Sequence, residues 1–173
     1  MAAKILKFLE EAGKLKAVPR EGWKMRGIKD CESVAEHTFR VAFIAMLLSE
    51  IEKCSMQKAL KMSLLHDLPE SRVGDLTRRS SNYRQKREIE KKAMSKILKN
   101  LPGKLRKEYM QLWGEYREGR TREAKLVKYA DKLEMLLQAK EYAKQGYDTS
   151  DFWKEEYEFE GTALEIYDLL KPS

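Results

Sequence analysis

An all-α fold is predicted by three features of the sequence. Apolar residues recur at steps of three and four along most of the chain, as they do on one face of a helix. No stretch longer than a few residues shows the alternation of apolar and polar residues that marks a half-buried strand. The length of 173 residues suits one domain with room for a core. We therefore expect one helical bundle over residues 1–173.

Three helices are expected in the first part of the chain, and each has a recognisable end. The first helix ends before Pro19, because proline does not continue a helix. The second begins with Ser33 and Glu36 at the spacing of a capping box. Ser55 is suited to cap the third helix, which Pro69 stops.

The inner faces of these helices are predicted from their apolar stripes. The first two stripes comprise Ile5, Phe8, Leu9, Ala12 and Leu15, and then Val34, His37, Val41, Ile44 and Leu48. In the third helix, Ala59, Met62 and His66 share one face. Both histidines are therefore expected to point towards the core.

Further helices are expected in the second half of the chain. They cover about 84–99, 104–117 and 122–144, and a short pair of helices follows Asp151. The longest helix has Ala124, Val127, Asp131 and Met135 on one stripe. A buried, unpaired carboxylate is costly, so Asp131 needs a metal ion, a cation or several hydrogen-bond donors.

A metal site is the first functional hypothesis. The chain contains two histidines, His37 directly after Glu36 and His66 directly before Asp67. Imidazole nitrogens and the carboxylates of Asp67 and Asp131 together suit a divalent ion. Each residue also has a simpler interpretation, because His37 could be a hydrogen-bonded core residue and Asp131 could pair with a neighbouring lysine. Three such residues on inward faces of successive helices favour the metal site.

The net charge of +7 raises the question of a nucleic-acid partner. Lysines and arginines are interleaved with glutamates along most of the chain, which favours salt-bridged helix faces instead. The densest basic stretch comprises Arg78, Arg79, Arg84, Lys86, Arg87, Lys91 and Lys92. It is expected to be a solvated helix face, a surface that attracts a phosphorylated substrate, or a contact for a polyanion.

The expected compartment is the cytoplasm. No apolar run reaches the roughly 18 residues that span a membrane, and no segment resembles a signal peptide. Cys31 and Cys54 are too few for a disulfide framework or a zinc–thiolate motif and are expected to be ordinary thiols.

The order His, His-Asp, Asp resembles the HD-domain superfamily of metal-dependent phosphohydrolases. Within it, the chain is similar to the HD-domain 5′-deoxynucleotidases from about residue 5 to about residue 145. The matching motifs are VPREGW at 18–23, SVAEH at 33–37, HDLPE at 66–70, VGD at 73–75 and KLVK at 125–128. This resemblance implies a single HD-domain helical bundle whose metal-site core covers about residues 30–145.

The resemblance also implies roles for individual residues. The metal ligands would be His37, His66, Asp67 and Asp131, holding a divalent ion that the sequence does not specify among Mn, Co, Fe, Zn and Mg. The catalytic residues would be Glu70, as general acid or base, and Asp75, as its support or partner in proton transfer. Alternatively, Glu70 is only a helix N-terminal carboxylate and Asp75 only a turn residue.

Substrate recognition is expected from the segment before the second helix. Trp23 would offer a flat apolar face for a sugar or base, and Arg20 or Arg26 would bind phosphate. One form of the family pattern has arginine directly before this tryptophan, whereas this chain has Gly22. The alternative is that Trp23 covers the core while both arginines are solvated.

The expected activity is hydrolysis of deoxyribonucleoside 5′-monophosphates to deoxyribonucleoside and phosphate. The expected partner is therefore this small substrate, with no membrane and no nucleic acid, and a homodimer remains open. Two alternatives stay in view. One is another HD phosphohydrolase acting on nucleoside triphosphates or cyclic nucleotides, and the other is a non-catalytic basic helical binding module.

Overall fold

The chain folds into a helical bundle in a computed structural model that describes residues 1–77, 80 and 83–172. Its α-helices are α1 (Ala2–Gly13), α2 (Glu21–Lys24), α3 (Val34–Ile51), α4 (Met56–Leu65), α5 (Glu70–Val73), α6 (Lys86–Leu98), α7 (Gly103–Glu118), α8 (Arg122–Lys144) and α9 (Gly161–Leu170). Short 3-10 helices lie at Lys14–Ala17, Tyr83–Gln85 and Ser150–Trp153. No β-strand occurs in the described ranges, where a single bridge joins Pro19 to Ser33. The predicted all-α class is confirmed.

Side-chain caps begin α3 and α4 where the sequence predicts them. The Ser33 hydroxyl accepts a hydrogen bond from the Glu36 backbone N–H, and the Glu36 carboxylate accepts one from the Ser33 N–H. The Ser55 hydroxyl accepts from the Lys58 N–H. These bonds satisfy backbone donors that a helix start otherwise leaves without partners.

Several predicted details differ from the structure. Leu9 was expected on an inner stripe, but it is 59% exposed, because α1 lies at the edge of the bundle and buries no residue fully. The first helix continues past Gly13 as the 3-10 helix Lys14–Ala17. Of the helix pair expected after Asp151, the first member is a 3-10 turn and only α9 is α-helical. The short helix α2 was not predicted.

Helix α8 runs through the middle of the bundle and contacts α3, α4, α7 and α9. It consequently buries residues on more than one side, including Val127, Leu133 and Leu136. Two of its acidic residues, Asp131 and Glu134, lie one turn apart and face α3, where His37 is. The position of α8 therefore determines which groups meet at the centre of the molecule.

Charged residues pair between helices, as their interleaving in the sequence predicts. Arg72 of α5 binds Glu11 of α1 at 2.9 Å, and Lys61 of α4 binds Glu108 of α7. Such exposed pairs each contribute little stability. Within the part of the chain that the structure describes, no helix is both long and apolar enough to cross a membrane.

Candidate active site

The residues expected to bind a metal come from three neighbouring parts of the bundle. His37 lies on α3, Asp131 on α8, and His66 and Asp67 in the turn after α4. The Nε2 atoms of the two imidazoles are 3.4 Å apart. His66 Nε2 lies 3.1 Å from Asp67 Oδ2, and His37 Nε2 lies 3.1 Å from Asp131 Oδ1. The cluster therefore offers two nitrogen and two oxygen donors.

Both imidazoles are held by their Nδ1 atoms. The Nδ1–H of His66 donates to the backbone carbonyl of Ser63 at 2.6 Å. The Nδ1–H of His37 donates to the carboxylate of Glu134, which is fully buried. With the proton on Nδ1, a neutral imidazole carries its lone pair on Nε2. When both rings are neutral, as metal ligation requires, the two lone pairs therefore face the centre of the cluster.

The spacing of these donors suits a metal ion. Donor atoms of His37, His66 and Asp67 all lie within 4.8 Å of one another. Two atoms bound at about 2.1 Å from one ion, at a right angle, are about 3 Å apart. Asp131 joins the group through His37, while its Oδ2 accepts a hydrogen bond from the Tyr116 hydroxyl at 3.4 Å. This set of imidazole and carboxylate donors fits a divalent cation.

The two carboxylates of the cluster are ionised. Burial opposes the charged form of Asp67, but the adjacent His66 lowers the pKa of this carboxyl below its usual range. Burial likewise opposes the charge on Asp131, and the hydrogen bond that His37 donates from Nε2 when its ring is protonated outweighs that effect and lowers the pKa. Both groups are therefore negatively charged at neutral pH, which favours binding of a cation.

A cavity of about 650 Å³ opens beside the cluster. Its volume is within the range of small-molecule sites, and carboxylates, imidazole and cationic side chains share its wall. The residues that line it include the expected ligands His66, Asp67 and Asp131, together with Arg20, Glu70, Asp75, Lys86 and Tyr116. The structure thus brings three of the four expected metal ligands and both expected acid–base residues to one cavity, and His37 is buried next to them.

Glu70 is the first residue of α5 and is only 2% exposed. Its Oε2 atom has no hydrogen-bond partner among the described residues, and its Oε1 atom lies 3.8 Å from the Lys86 Nζ. Burial, together with the charges of Asp67 and Asp75, raises the pKa of Glu70 well above that of a free glutamate. The environment therefore favours a protonated carboxyl, which can donate its proton.

Asp75 follows Gly74, whose positive φ of 74° suits a residue without a Cβ atom. One oxygen of Asp75 accepts a hydrogen bond from the Glu21 backbone N–H at 2.9 Å. The Arg20 guanidinium lies between two carboxylates, 3.8 Å from Asp75 and 3.5 Å from Asp67. Arg20 is thus next to the metal cluster, and its role in binding phosphate stays a prediction.

Trp23 was expected to offer a flat apolar face for a sugar or base, and in the structure most of its ring is covered. The residue is 2% exposed, with its ring centroid 4.3 Å from that of Phe152 and 5.2 Å from that of Tyr142. Its indole N–H donates to Glu32 at 2.8 Å. Trp23 lies in the wall of a second cavity of about 410 Å³, mostly covered by other rings. Trp23 therefore packs as a cover on the core, as the alternative interpretation expected.

Arg26 lines the second cavity and not the cavity beside the metal cluster. Its guanidinium lies 4.1 Å from the ring centroid of Phe152, and its Nη1–H donates to the Gly22 carbonyl. The two cavities share residues on their walls: Arg20, Asp75, Tyr83, Lys86, Lys132 and Met135. Of Arg20 and Arg26, Arg20 is therefore the one that lines both cavities.

The dense basic stretch contributes in part to the first cavity. Arg84, Lys86 and Arg87 line it, whereas Lys91 and Lys92 do not. Arg78 and Arg79, which belong to the same predicted surface, lie outside the described residues. The cationic wall therefore includes residues from α6 and the 3-10 turn before it.

Two residues of the site, Glu134 and Tyr116, were missed from the sequence. Glu134 is three residues after Asp131, and this spacing, which places both on one side of a helix, is a signal that the sequence carries. Tyr116 reaches Asp131 from α7, and its ring meets that of His66 edge-on. No pattern in the sequence links position 116 to the cluster, because only the packing of α7 against α8 brings them together.

The family model for the HD domain matches residues 12–165. The chain belongs to the HD-domain family. The predicted resemblance is therefore confirmed, and the His, His-Asp, Asp cluster described above lies within the matched region.

Relatives of the chain agree with this assignment. The chain is similar to the 5′-deoxynucleotidase HDDC2 of Dictyostelium discoideum, with 39% identity over 91% of this chain and 87% of the relative. It resembles the solved structure of the PH0347 protein of Pyrococcus horikoshii, with a TM-score of 0.80 and 34% identity over 98% and 96% of the two chains. A predicted metal-dependent phosphohydrolase from Magnetospirillum magnetotacticum is similar too, at 31% identity, a TM-score of 0.70 and coverage of 82% and 71%.

Proposed function

We propose that the protein hydrolyses deoxyribonucleoside 5′-monophosphates with the help of a bound divalent metal ion. The observation that carries this proposal is the shared cavity, which is lined by His66, Asp67 and Asp131 and by the buried carboxyl of Glu70, whose Oε2 atom has no hydrogen-bond partner among the described residues. A cation site beside a protonated acid is what phosphate monoester hydrolysis needs. The activity named for the Dictyostelium relative supports the same substrate class.

The residues of the site divide the chemistry between them. His37, His66, Asp67 and Asp131 would hold the ion, which when bound acidifies water and polarises the phosphoryl group. As a water molecule attacks the phosphorus and forms the new P–O bond, Glu70 would give its proton to the leaving 5′-oxygen, so that the old P–O bond breaks without forming a free alkoxide. The proton that the water loses would return to the Glu70 carboxylate. Several divalent ions suit the donor set, so the proposal leaves the choice among Mn, Co, Fe, Zn and Mg to metal analysis.

Two groups support this proton transfer. The negative charge of Asp75 favours the protonated form of Glu70, and Asp75 itself is fixed by the Glu21 backbone N–H. Arg20 lies beside both Asp67 and Asp75, where its planar guanidinium would bind oxygens of the phosphate. Arg20 is therefore the proposed phosphate-binding arginine.

The second cavity would take the nucleoside. It adjoins the first cavity through shared wall residues, and Met135, Phe152 and Tyr157 give it an apolar side suited to a sugar and base. Trp23 is a largely covered part of this wall and would keep the shape of the wall by packing against Phe152. A tightly packed wall would exclude the ribose 2′-hydroxyl, while leaving the base with few specific donors.

A second candidate is hydrolysis of nucleoside triphosphates by the same site. The observation that favours it is the number of cations on the first cavity: Arg20, Arg84, Lys86, Arg87, Arg117, Lys128 and Lys132. A longer phosphate chain would use more of these charges than a monophosphate does. The two candidates differ in substrate. The first predicts release of inorganic phosphate from a deoxyribonucleoside monophosphate, and the second predicts cleavage of a nucleoside triphosphate.

The test is metal analysis of the purified protein, followed by phosphate release from a panel of nucleotides. The panel contains the ribo- and deoxyribonucleoside 5′-monophosphates, the 3′-monophosphates and the triphosphates. The proposal expects release from deoxyribonucleoside 5′-monophosphates, with little dependence on the base and little release from the other classes. Equal rates on a ribonucleotide and its deoxy counterpart would overturn the substrate assignment.

We also propose that two copies of the chain pair through α3. Its outer face exposes Phe39, Phe43, Leu47 and Ile51 at steps of four, each at least half exposed. In an antiparallel pair related by a twofold axis, Phe39 of one copy meets Ile51 of the other, so the stripe is complementary to itself. The mass in solution would be that of a dimer, and Phe43→Glu would return it to a monomer.

A further inference from the structure

We infer that Glu134 is a positioning residue of the metal centre, acting through His37. Glu134 lies on α8 with no exposed surface, and it does not line the cavity that contains the cluster. One of its oxygens accepts the Nδ1–H of His37, while the opposite ring nitrogen, Nε2, lies 3.1 Å from Asp131. This inference rests on the proposed metal site and assigns a role to a residue outside its ligand set.

The carboxylate determines which nitrogen of His37 faces the cluster. A neutral imidazole has one N–H, and either nitrogen can carry it. An ionised Glu134 can accept a hydrogen bond but cannot donate one. It therefore selects the form of His37 with the proton on Nδ1 and the lone pair on Nε2. Carboxylate partners of this kind also orient the ring and make it a stronger ligand. His66 has only the weaker, neutral carbonyl of Ser63 in the same place.

Arg40 pairs with Glu134 and so compensates for the burial of its carboxylate. The second oxygen of Glu134 accepts from Arg40 Nε at 3.0 Å and lies 2.9 Å from Arg40 Nη2. Arg40 in turn donates to Gln138 at 2.6 Å and to Glu141 at 2.7 Å. The two oxygens are thus divided between His37 and Arg40.

Residues of two helices repeat at helical spacing to build this arrangement. His37 and Arg40 are three apart on α3, and Glu134, Gln138 and Glu141 follow one another along one side of α8.

The same region has another group with metal-ligand character, formed by Glu32, His37 and Glu134. It does not make a second cation site, because Glu32 accepts the Trp23 N–H and Glu134 is already shared. Glu134 therefore acts on the proposed metal site through its hydrogen bond with His37.

The test compares Glu134→Gln with Glu141→Gln in the full chain. A glutamine at 134 offers one accepting atom in place of two, so either His37 or Arg40 loses its acceptor. We expect Mn²⁺ to bind Glu134→Gln about 10- to 100-fold more weakly, as is typical for such partners of metal ligands. Glu141→Gln changes the exposed partner of Arg40 and leaves Glu134 in place. We expect its dissociation constant for Mn²⁺ to stay within about threefold of the wild-type value. Titration with Mn²⁺ in the absence of substrate measures both.

A second measurement reports on the ring itself. Because the chain has two histidines, ¹⁵N NMR of the imidazoles can be assigned with little ambiguity. In the Zn²⁺-loaded protein we expect the proton of His37 on Nδ1, and in Glu134→Gln a shift of its ring signals while those of His66 stay in place. A role in stability alone would leave the ring signals of the folded variant unchanged.

If Glu134→Gln fails to fold, Arg40→Met combined with Glu134→Gln removes both charges of the pair and keeps a similar volume. The expected weakening of Mn²⁺ binding is the same in this pair. Wild-type affinity in a folded Glu134 variant would overturn this inference and leave the proposed function standing. Absence of Mn²⁺ binding in the wild-type protein would instead overturn the metal site, and with it both proposals.

Discussion

The two sides of the cavity are organised in different ways. On the metal side, His37 and His66 each have a hydrogen-bond partner on the ring nitrogen that faces away from the cluster. On the acid side, Glu70 is buried with one oxygen unpartnered among the described residues, and its cationic neighbour Lys86 is 3.8 Å away. Short hydrogen bonds fix the two imidazoles on the metal side. On the acid side, burial and charges at longer range determine the protonation of Glu70.

This difference suggests a division between fixed and adjustable parts. Metal ligands need a defined geometry, and helices α3 and α8 supply it from the centre of the bundle. An acid that gives up a proton needs a raised pKa more than it needs a fixed partner. The two sides should therefore respond differently to substitution, and each of the following experiments tests that expectation.

The largest effect is expected from the metal side. Combining His37→Ala with Asp131→Ala removes donors from two helices, so metal content and turnover should both fall to background. The melting temperature should also drop, because an ion at 100 times its dissociation constant stabilises a protein by about 2.7 kcal/mol. Metal analysis and thermal melting, each with and without a chelator, measure these changes.

The matched control for this experiment is Asp168→Ala, which removes an exposed carboxylate from α9. It should leave metal content, melting temperature and the effect of the chelator unchanged. A double variant of His37 and Asp131 that keeps its full metal content would contradict the proposed ligand set.

A smaller effect, confined to turnover, is expected from the acid side. Glu70→Ala should reduce turnover by about 100-fold or more, the usual scale for general acid–base assistance. Metal content should be unaffected, because Glu70 is not among the proposed ligands. The melting temperature should not fall, since the substitution removes a buried carboxyl with an unpartnered oxygen.

Steady-state kinetics and metal analysis of the same preparation test this expectation. Glu88→Ala, an exposed glutamate on α6, is the control and should behave as the wild type. If Glu70→Ala turns over normally, Glu70 is a structural residue at the start of α5. If it loses its metal, the two sides of the cavity are not independent.

The smallest effect is expected at the wall of the second cavity. Trp23→Phe keeps an aromatic ring against Phe152 but loses the hydrogen bond to Glu32 and part of the packing. The preference for deoxyribonucleotides over ribonucleotides should fall by about 10-fold, the effect of a small change of fit in an apolar pocket. Metal binding should be unchanged, and a preference that survives intact would remove Trp23 from the sugar wall.

The sequence predicted the parts of the molecule that depend on local patterns. The capping box at Ser33 and Glu36 is a short-range hydrogen-bond motif, and it begins α3 as expected. The scarcity of histidine makes the positions of His37 and His66 informative in the sequence itself, and both imidazoles face the same cluster. Composition and helical periodicity were sufficient for the all-α class.

The parts that the sequence did not predict depend on contacts between distant segments. Trp23 is covered by Tyr142 and Phe152, which lie far from it along the chain, so its burial has no local signature. Glu134 could have been placed on the side of α8 that carries Asp131, but its hydrogen bond to His37 requires the packing of α8 against α3. Long-range packing thus decides which of several polar residues becomes part of the site.

The central position of α8 has a consequence for the order in which the site assembles during synthesis. A nascent chain that ends before residue 122 contains His37, His66 and Asp67 but neither Asp131 nor Glu134. Such a chain has three donors and lacks the carboxylate that orients His37, so it should capture metal ions poorly. Because long-range contacts form late, metal loading should coincide with the docking of α8 against α3 and α4. Ribosome-bound chains of increasing length would then acquire metal in one step, after α8 has emerged.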